Sequence, residues 1–82
     1  MTYKEKFDNE SDWKQKILII ELFHLHMLYK REKWTEKKTA KYFNKSIALI
    51  SENLMLAKAI RNEELEGCTS RVKALKIVRS IK

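Results

Sequence analysis

A chain of 82 residues with one cysteine, one glycine and no proline excludes a disulfide-stapled fold and a succession of tight β-turns. Its 18 Lys and Arg against 11 Asp and Glu give a net charge of +7, which suits a polyanionic partner. No apolar run is longer than that of residues 17–20, which stops at Glu21, far short of the roughly 18–20 apolar residues of a membrane span, and the first ten residues hold no apolar stretch of the kind a signal peptide needs.

Residues 1–10 are polar and charged and read as an N-terminal arm ahead of a single domain over residues 11–82. Tyr3 and Phe7, four apart, could dock a helical turn; a frayed terminus is the expectation. Lys4 and Lys6 are offset by Glu5, Asp8, Glu10 and Asp12, which argues against an arm for the minor groove. Ser11 is placed to cap a helix over residues 12–31 that ends on Lys30 and Arg31, the favourable charge for a C-terminus. The apolar residues of that helix point in almost every direction, so it must be covered on more than one side, by neighbouring helices or by a second copy of the chain. His24 and His26 are two apart, about 200° around a helix, and cannot ligate one metal ion together. Trp34 is expected to plug the junction of the helices around it.

Thr35 can cap a short helix over residues 36–43, Asn44 can take the left-handed turn position, and Ser46 can cap a second helix beginning at Ile47. Ala40 is small enough to let that second helix cross closely, with Ile50 and Leu54 facing the crossing. The pattern is a helix-turn-helix. The second helix is expected to continue through residue 66 and stop at Gly67, with Cys68 and Thr69 in the next turn. Ser70 caps a last helix over residues 71–81, on which Ala74, Leu75, Ile77, Val78 and Ile81 share one side and Lys73, Lys76 and Arg79 the other. The expected fold is all-α, a compact bundle of about four helices containing a helix-turn-helix.

Thr39 and Ala40, then Ser46, then Ile50, Ser51, Leu54, Leu56 and Ala57 resemble the helix-turn-helix of small phage and plasmid DNA-binding proteins and of ParB-type partition proteins. The matching stretch, residues 35–60, covers under a third of the chain. Asn44 stands where the family pattern has a turn glycine, and Lys45 where it has a small apolar residue. The resemblance implies a DNA-binding domain of bacterial or phage origin, at work in the cytoplasm of a bacterial or phage-infected cell. A lone Cys68 agrees with a reducing compartment.

Placed on that motif, the residues that would meet the major groove are Ser46, Ile47, Ala48, Ser51, Glu52 and Met55. Few of them suit base readout, which favours Arg, Lys, Asn and Gln. Lys37, Lys38, Lys41 and Lys45 flank the first helix and the turn, where such proteins grip phosphates. Lys73, Lys76 and Arg79 form a second candidate phosphate ridge. Net charge is +1 over residues 1–34 and +3 over each of residues 35–60 and 61–82, so the excess lies on and after the motif. The sequence therefore points to a duplex-DNA-binding transcription regulator or accessory factor, with a homodimer through residues 12–31. The alternative is a protein-interaction or virion-packaging module on the same scaffold, with Ile47, Leu49 and Met55 as its apolar contact. There is no paired acid–base constellation, glycine-rich phosphate loop or metal-ligand spacing, so no enzymatic activity, cofactor or small-molecule substrate is expected.

Overall fold

A computed structural model describes residues 2–81, except for the side chain of Ile81. The fold is all-helical. Five helices run in order: α1 (Tyr3–Asn9), α2 (Trp13–Lys30), α3 (Glu36–Phe43), α4 (Ile47–Arg61) and α5 (Arg71–Ile81). The limits of α3 and α5 coincide with those read from the sequence.

Within the arm expected over residues 1–10, residues 3–9 instead form a helix. Thr2 accepts from the Glu5 backbone N–H, and the Glu5 carboxylate accepts in return from the Thr2 backbone N–H, so the two close a capping box. Seven residues cannot hold a helix in water alone. Phe7 supplies the missing stability, buried with its ring 5.4 Å from that of Phe43, while Tyr3 stands edge-on to Phe23 at 5.4 Å. α2 is capped by Asp12, not Ser11: the Asp12 carboxylate accepts from the Lys14 backbone N–H at 3.0 Å.

α4 ends six residues before Gly67. Glu63 takes the left-handed conformation at φ 61°, and Glu64 N–H then bonds back to the Ala59 carbonyl at 3.0 Å while Glu63 N–H bonds to that of Ile60 at 3.1 Å. These paired bonds close a Schellman end. Leu65 explains the early stop, because it lies buried with Ala59, Ala74 and Val78. Burial of such a side chain is worth about 2 kcal/mol, enough to offset the roughly 1–2 kcal/mol of a left-handed non-glycine residue.

The core has two parts that share α2 and α4. One joins Ile17 to Leu56, Ala57 and Ala59 of α4, to Leu65, and to Ala74 and Val78 of α5. The other joins Ile20 and Phe23 to Phe7, to Ala40 and Phe43 of α3, and to Ile50 of α4. Phe23 stacks on Tyr42 at 4.2 Å and meets Phe43 edge-on at 5.2 Å. Neighbouring helices thus cover much of α2, but Leu22, Leu25 and Tyr29 remain exposed. On α5 the expected apolar side is narrower than its sequence pattern: Ala74 and Val78 are buried, whereas Ile77 is exposed.

Thr39, fully buried in α3, ties three segments together. Trp34 Nε1–H donates to its hydroxyl at 2.8 Å, and His24 Nδ1 lies 2.7 Å from the same oxygen. Burial pushes the His24 pKa below its ordinary 6.5, against the weaker raising pull of the Glu36 carboxylate. The neutral imidazole can accept the Thr39 proton, which completes a Trp34–Thr39–His24 chain. An unfolded His24 titrates near 6.5, so its contribution is full above that pH and is lost as pH falls from there toward the lower folded pKa. Thermal melts should therefore show stability declining as pH falls below about 7, toward the lowered folded-state pKa. In His24→Asn, whose amide can stand in for Nδ1 without titrating, that slope should flatten; an unchanged slope would place the titration elsewhere.

Candidate nucleic-acid interface

The turn between α3 and α4 is built from backbone bonds. Asn44 sits at φ 57°, ψ 48°, the left-handed position expected of it. Asn44 N–H then reaches the Lys41 carbonyl at 3.2 Å and Lys45 N–H the Ala40 carbonyl at 2.9 Å, a second Schellman end. The Ser46 hydroxyl accepts from Leu49 N–H at 3.1 Å and starts α4. Ala40 and Ile50 are buried together in the crossing, which fixes α4 against α3.

This arrangement leaves Lys37, Lys38, Lys41 and Lys45 exposed, and none has an ion-pair partner among the described residues. Lys38 Nζ lies 5.6 Å from the centre of the Trp34 ring and Lys45 Nζ 5.8 Å from that of Phe7. Both ammonium groups are thus guided by an aromatic face while keeping access to water. Along α4, Ser46, Ile47, Ala48 and Ser51 stand exposed where the motif would present them to a groove.

Glu52 and Met55 depart from that placement. Met55 is half-buried against the core around Leu56. Glu52 is half-buried too, and its two oxygens are taken by α5: Arg71 Nη2 lies 3.3 Å from Oε1 and Arg79 Nη2 2.9 Å from Oε2. Packing of α5 on α4 creates this clamp, which no local sequence pattern announces. Arg71 also donates from Nε and Nη2 to the Oδ1 of buried Asn53, at 3.2 and 2.7 Å. Arg79, expected on a phosphate ridge with Lys73 and Lys76, is therefore already paired, while the two lysines are exposed without an ion-pair partner among the described residues. Leu49, expected to be exposed with Ile47, is half-buried.

One exposed cation on the same helix was missed. Lys58 follows Ser51 by seven residues, two helical turns along the same side. Extending the helical period beyond Met55 finds it. Among the described residues no cluster of His, Cys, Asp and Glu could hold a metal ion, and no helix is long and apolar enough to cross a membrane.

Comparison with known proteins returns no matching family model, no matching curated protein and no matching solved structure.

The two arginines should differ in what they hold. Arg71→Ala leaves the Oδ1 of Asn53 buried without its donor and should cost about 1–3 kcal/mol in denaturant unfolding. Arg79→Ala removes a pair whose arginine is largely exposed and should cost under about 1 kcal/mol. Equal losses would show that Glu52, not Asn53, is what Arg71 stabilises.

Proposed function

We propose that this chain binds duplex DNA, laying the exposed side of α4 along the major groove and gripping phosphates with Lys37, Lys38, Lys41 and Lys45. The observation that carries the reading is the union of a helix-turn-helix turn with four exposed lysines on and beside its first helix, none of them ion-paired among the described residues. Phosphate contacts of this kind fix a protein on the duplex, and base edges decide sequence. The α4 surface offers little to base edges. Ser46 and Ser51 can hydrogen-bond, and Ile47 and Ala48 can meet thymine methyl groups. Glu52 is neutralised by Arg71 and Arg79, which weakens the phosphate repulsion a free carboxylate would exert there. Affinity in this reading comes mainly from phosphates, with modest sequence preference. That profile suits a transcription regulator or an accessory factor of phage or plasmid type, as the resemblance of residues 35–60 implies.

A gel-shift series on duplex DNA at rising salt tests the reading. Binding should weaken steeply with salt, and Lys37→Glu with Lys41→Glu should cut affinity at least about tenfold and reduce the salt slope by about two. If no duplex is retained even at low salt, the proposal fails.

A protein partner is favoured by a separate observation. Leu18, Leu22, Leu25 and Tyr29 follow one another at spacings of four, three and four on α2, and the last three are 54%, 46% and 94% exposed. That spacing is a heptad seam, and its natural complement is the same seam on a second copy. We propose a homodimer through α2. Light scattering should give twice the 9.9 kDa mass of the chain, and Leu22→Glu with Leu25→Glu should return it to the monomer mass with helicity intact. A wild-type chain that is monomeric at all accessible concentrations would remove the dimer and leave the DNA reading untouched.

A further inference from the structure

A cavity of about 240 Å³ lies where four helices and the α3–α4 turn meet. Phe7 of α1, Trp13 and Ile17 of α2 and Leu49 of α4 form its apolar walls. Lys16, Lys45, Arg71 and Asn53 supply its polar lining, and no carboxylate is among the lining residues.

The charges in this cavity are out of balance. Lys16 Nζ lies 4.5 Å and Lys45 Nζ 5.8 Å from the centre of the same Phe7 ring. Two ammonium groups thus converge on one aromatic side chain, and neither has an ion-pair partner among the described residues. Asn53 adds a third donor. The side chain is buried, only 3% of its surface being exposed, and its oxygen is committed to Arg71. Its amide nitrogen donates to no group among the described residues, and Asn53 is one of the residues that line the cavity.

We propose that the cavity binds a small organic carboxylate with a single-ring or similarly compact apolar body. The apolar part would lie against Phe7, Trp13, Ile17 and Leu49, with its carboxylate accepting from Lys16, Lys45 and the Asn53 amide. Size agrees with this class: an apolar cavity of roughly 150 Å³ accommodates a benzene ring, and the remaining volume fits a short acid arm. Charge complementarity gives the selectivity, because a neutral analogue would leave both lysines without the counter-charge the site lacks. A second cavity, lined by Lys14, Ile60, Glu63, Leu65 and Glu66, lacks this character. It carries two acids, and its lysine already donates to the Leu65 carbonyl at 3.3 Å.

The site is tested on the full chain without DNA, so its outcome is separate from that of the DNA reading. Phenylpropionate, phenylpropionamide and inorganic phosphate are each titrated while proton–nitrogen NMR spectra follow the Trp13 indole and the Lys45, Leu49 and Asn53 signals. Phenylpropionate should shift these signals saturably, with an affinity about tenfold above that of the amide. Inorganic phosphate should produce no comparable saturation. Lys16→Glu should bring the acid to the level of the amide, with melting curves showing that the variant is folded, and Lys16→Gln should give an intermediate loss. The proposal is overturned if acid and amide bind alike, if phosphate alone binds as well as the acid, if the shifts fall outside the cavity, or if neither Lys16 variant alters the affinity.

Discussion

The packing of α2 against α4 is the constraint on which the other helices depend. Ile17 and Ile20, both almost fully buried, stand one turn apart on α2, and each belongs to a different half of the core. On α4 the same division separates Leu56 and Ala57 from Ile50. The pair therefore offers two grooves. Into one fall α1 and α3 with their aromatic rings, and into the other fall Leu65 and α5. A basic chain of this length has little apolar surface to spend, and the shared wall lets two small cores act as one. Glu21 and Arg61 close the end of the wall. Arg61 Nη2 lies 2.6 Å from Glu21 Oε1, a charge contact without an aligned hydrogen bond to that oxygen.

That wall also decides which side chains of α4 are left for a partner. A helix can give a partner only what its own fold does not consume. α4 turns one side toward α2 and α3 and a second toward α5, and the α5 side takes Glu52 and the Asn53 side-chain oxygen out of circulation through Arg71. What remains is a narrow strip with Ile47, Ala48, Ser51 and Lys58. The four lysines of α3 and the turn carry far more charge than that strip carries hydrogen-bonding pattern. In the proposed DNA reading, the balance between grip and readout would therefore be set by how α5 docks as much as by the sequence of α4.

The motif itself was legible because its determinants are local. Thr35, Asn44 and Ser46 act within three or four residues of their own positions, and caps and left-handed turns obey rules that need no tertiary information. The sequence reading failed where a distant contact outvoted a local preference. Residues 62–66 have nothing against helix, yet α4 stops at Arg61 because Leu65 is wanted in the core under α5. The first ten residues look like a solvated arm until Phe43 is available to pack against Phe7. Glu52 reads as an exposed acid on a recognition helix until α5 brings two arginines to it from 19 and 27 residues away. The cluster of Lys16, Lys45 and Asn53 belongs to the same kind, since nothing in their spacing announces that they line one cavity.

The apolar seam on α2 and the lysine surface of the helix-turn-helix do not compete for space. At 100° per residue, Leu18, Leu22, Leu25 and Tyr29 centre about 120° around α2 from the side that carries Ile17, Ile20, Glu21 and His24. The latter side faces α4 and α3, as the burial of Ile17 with Leu56 and the bond from His24 to Thr39 require. A second copy seated on the seam would therefore leave the outer strip of α4 and the lysines of α3 uncovered. Pairing two copies would also double the number of lysines presented to one duplex. If the surface binds phosphates as proposed, joining two weak grips on one duplex would gain far more than improving either alone, because the second would engage at the high effective concentration set by the first. The poverty of base-reading groups on α4 and the exposed heptad seam on α2 thus fit together under the two proposals, in which a modest DNA contact would be made useful by duplication.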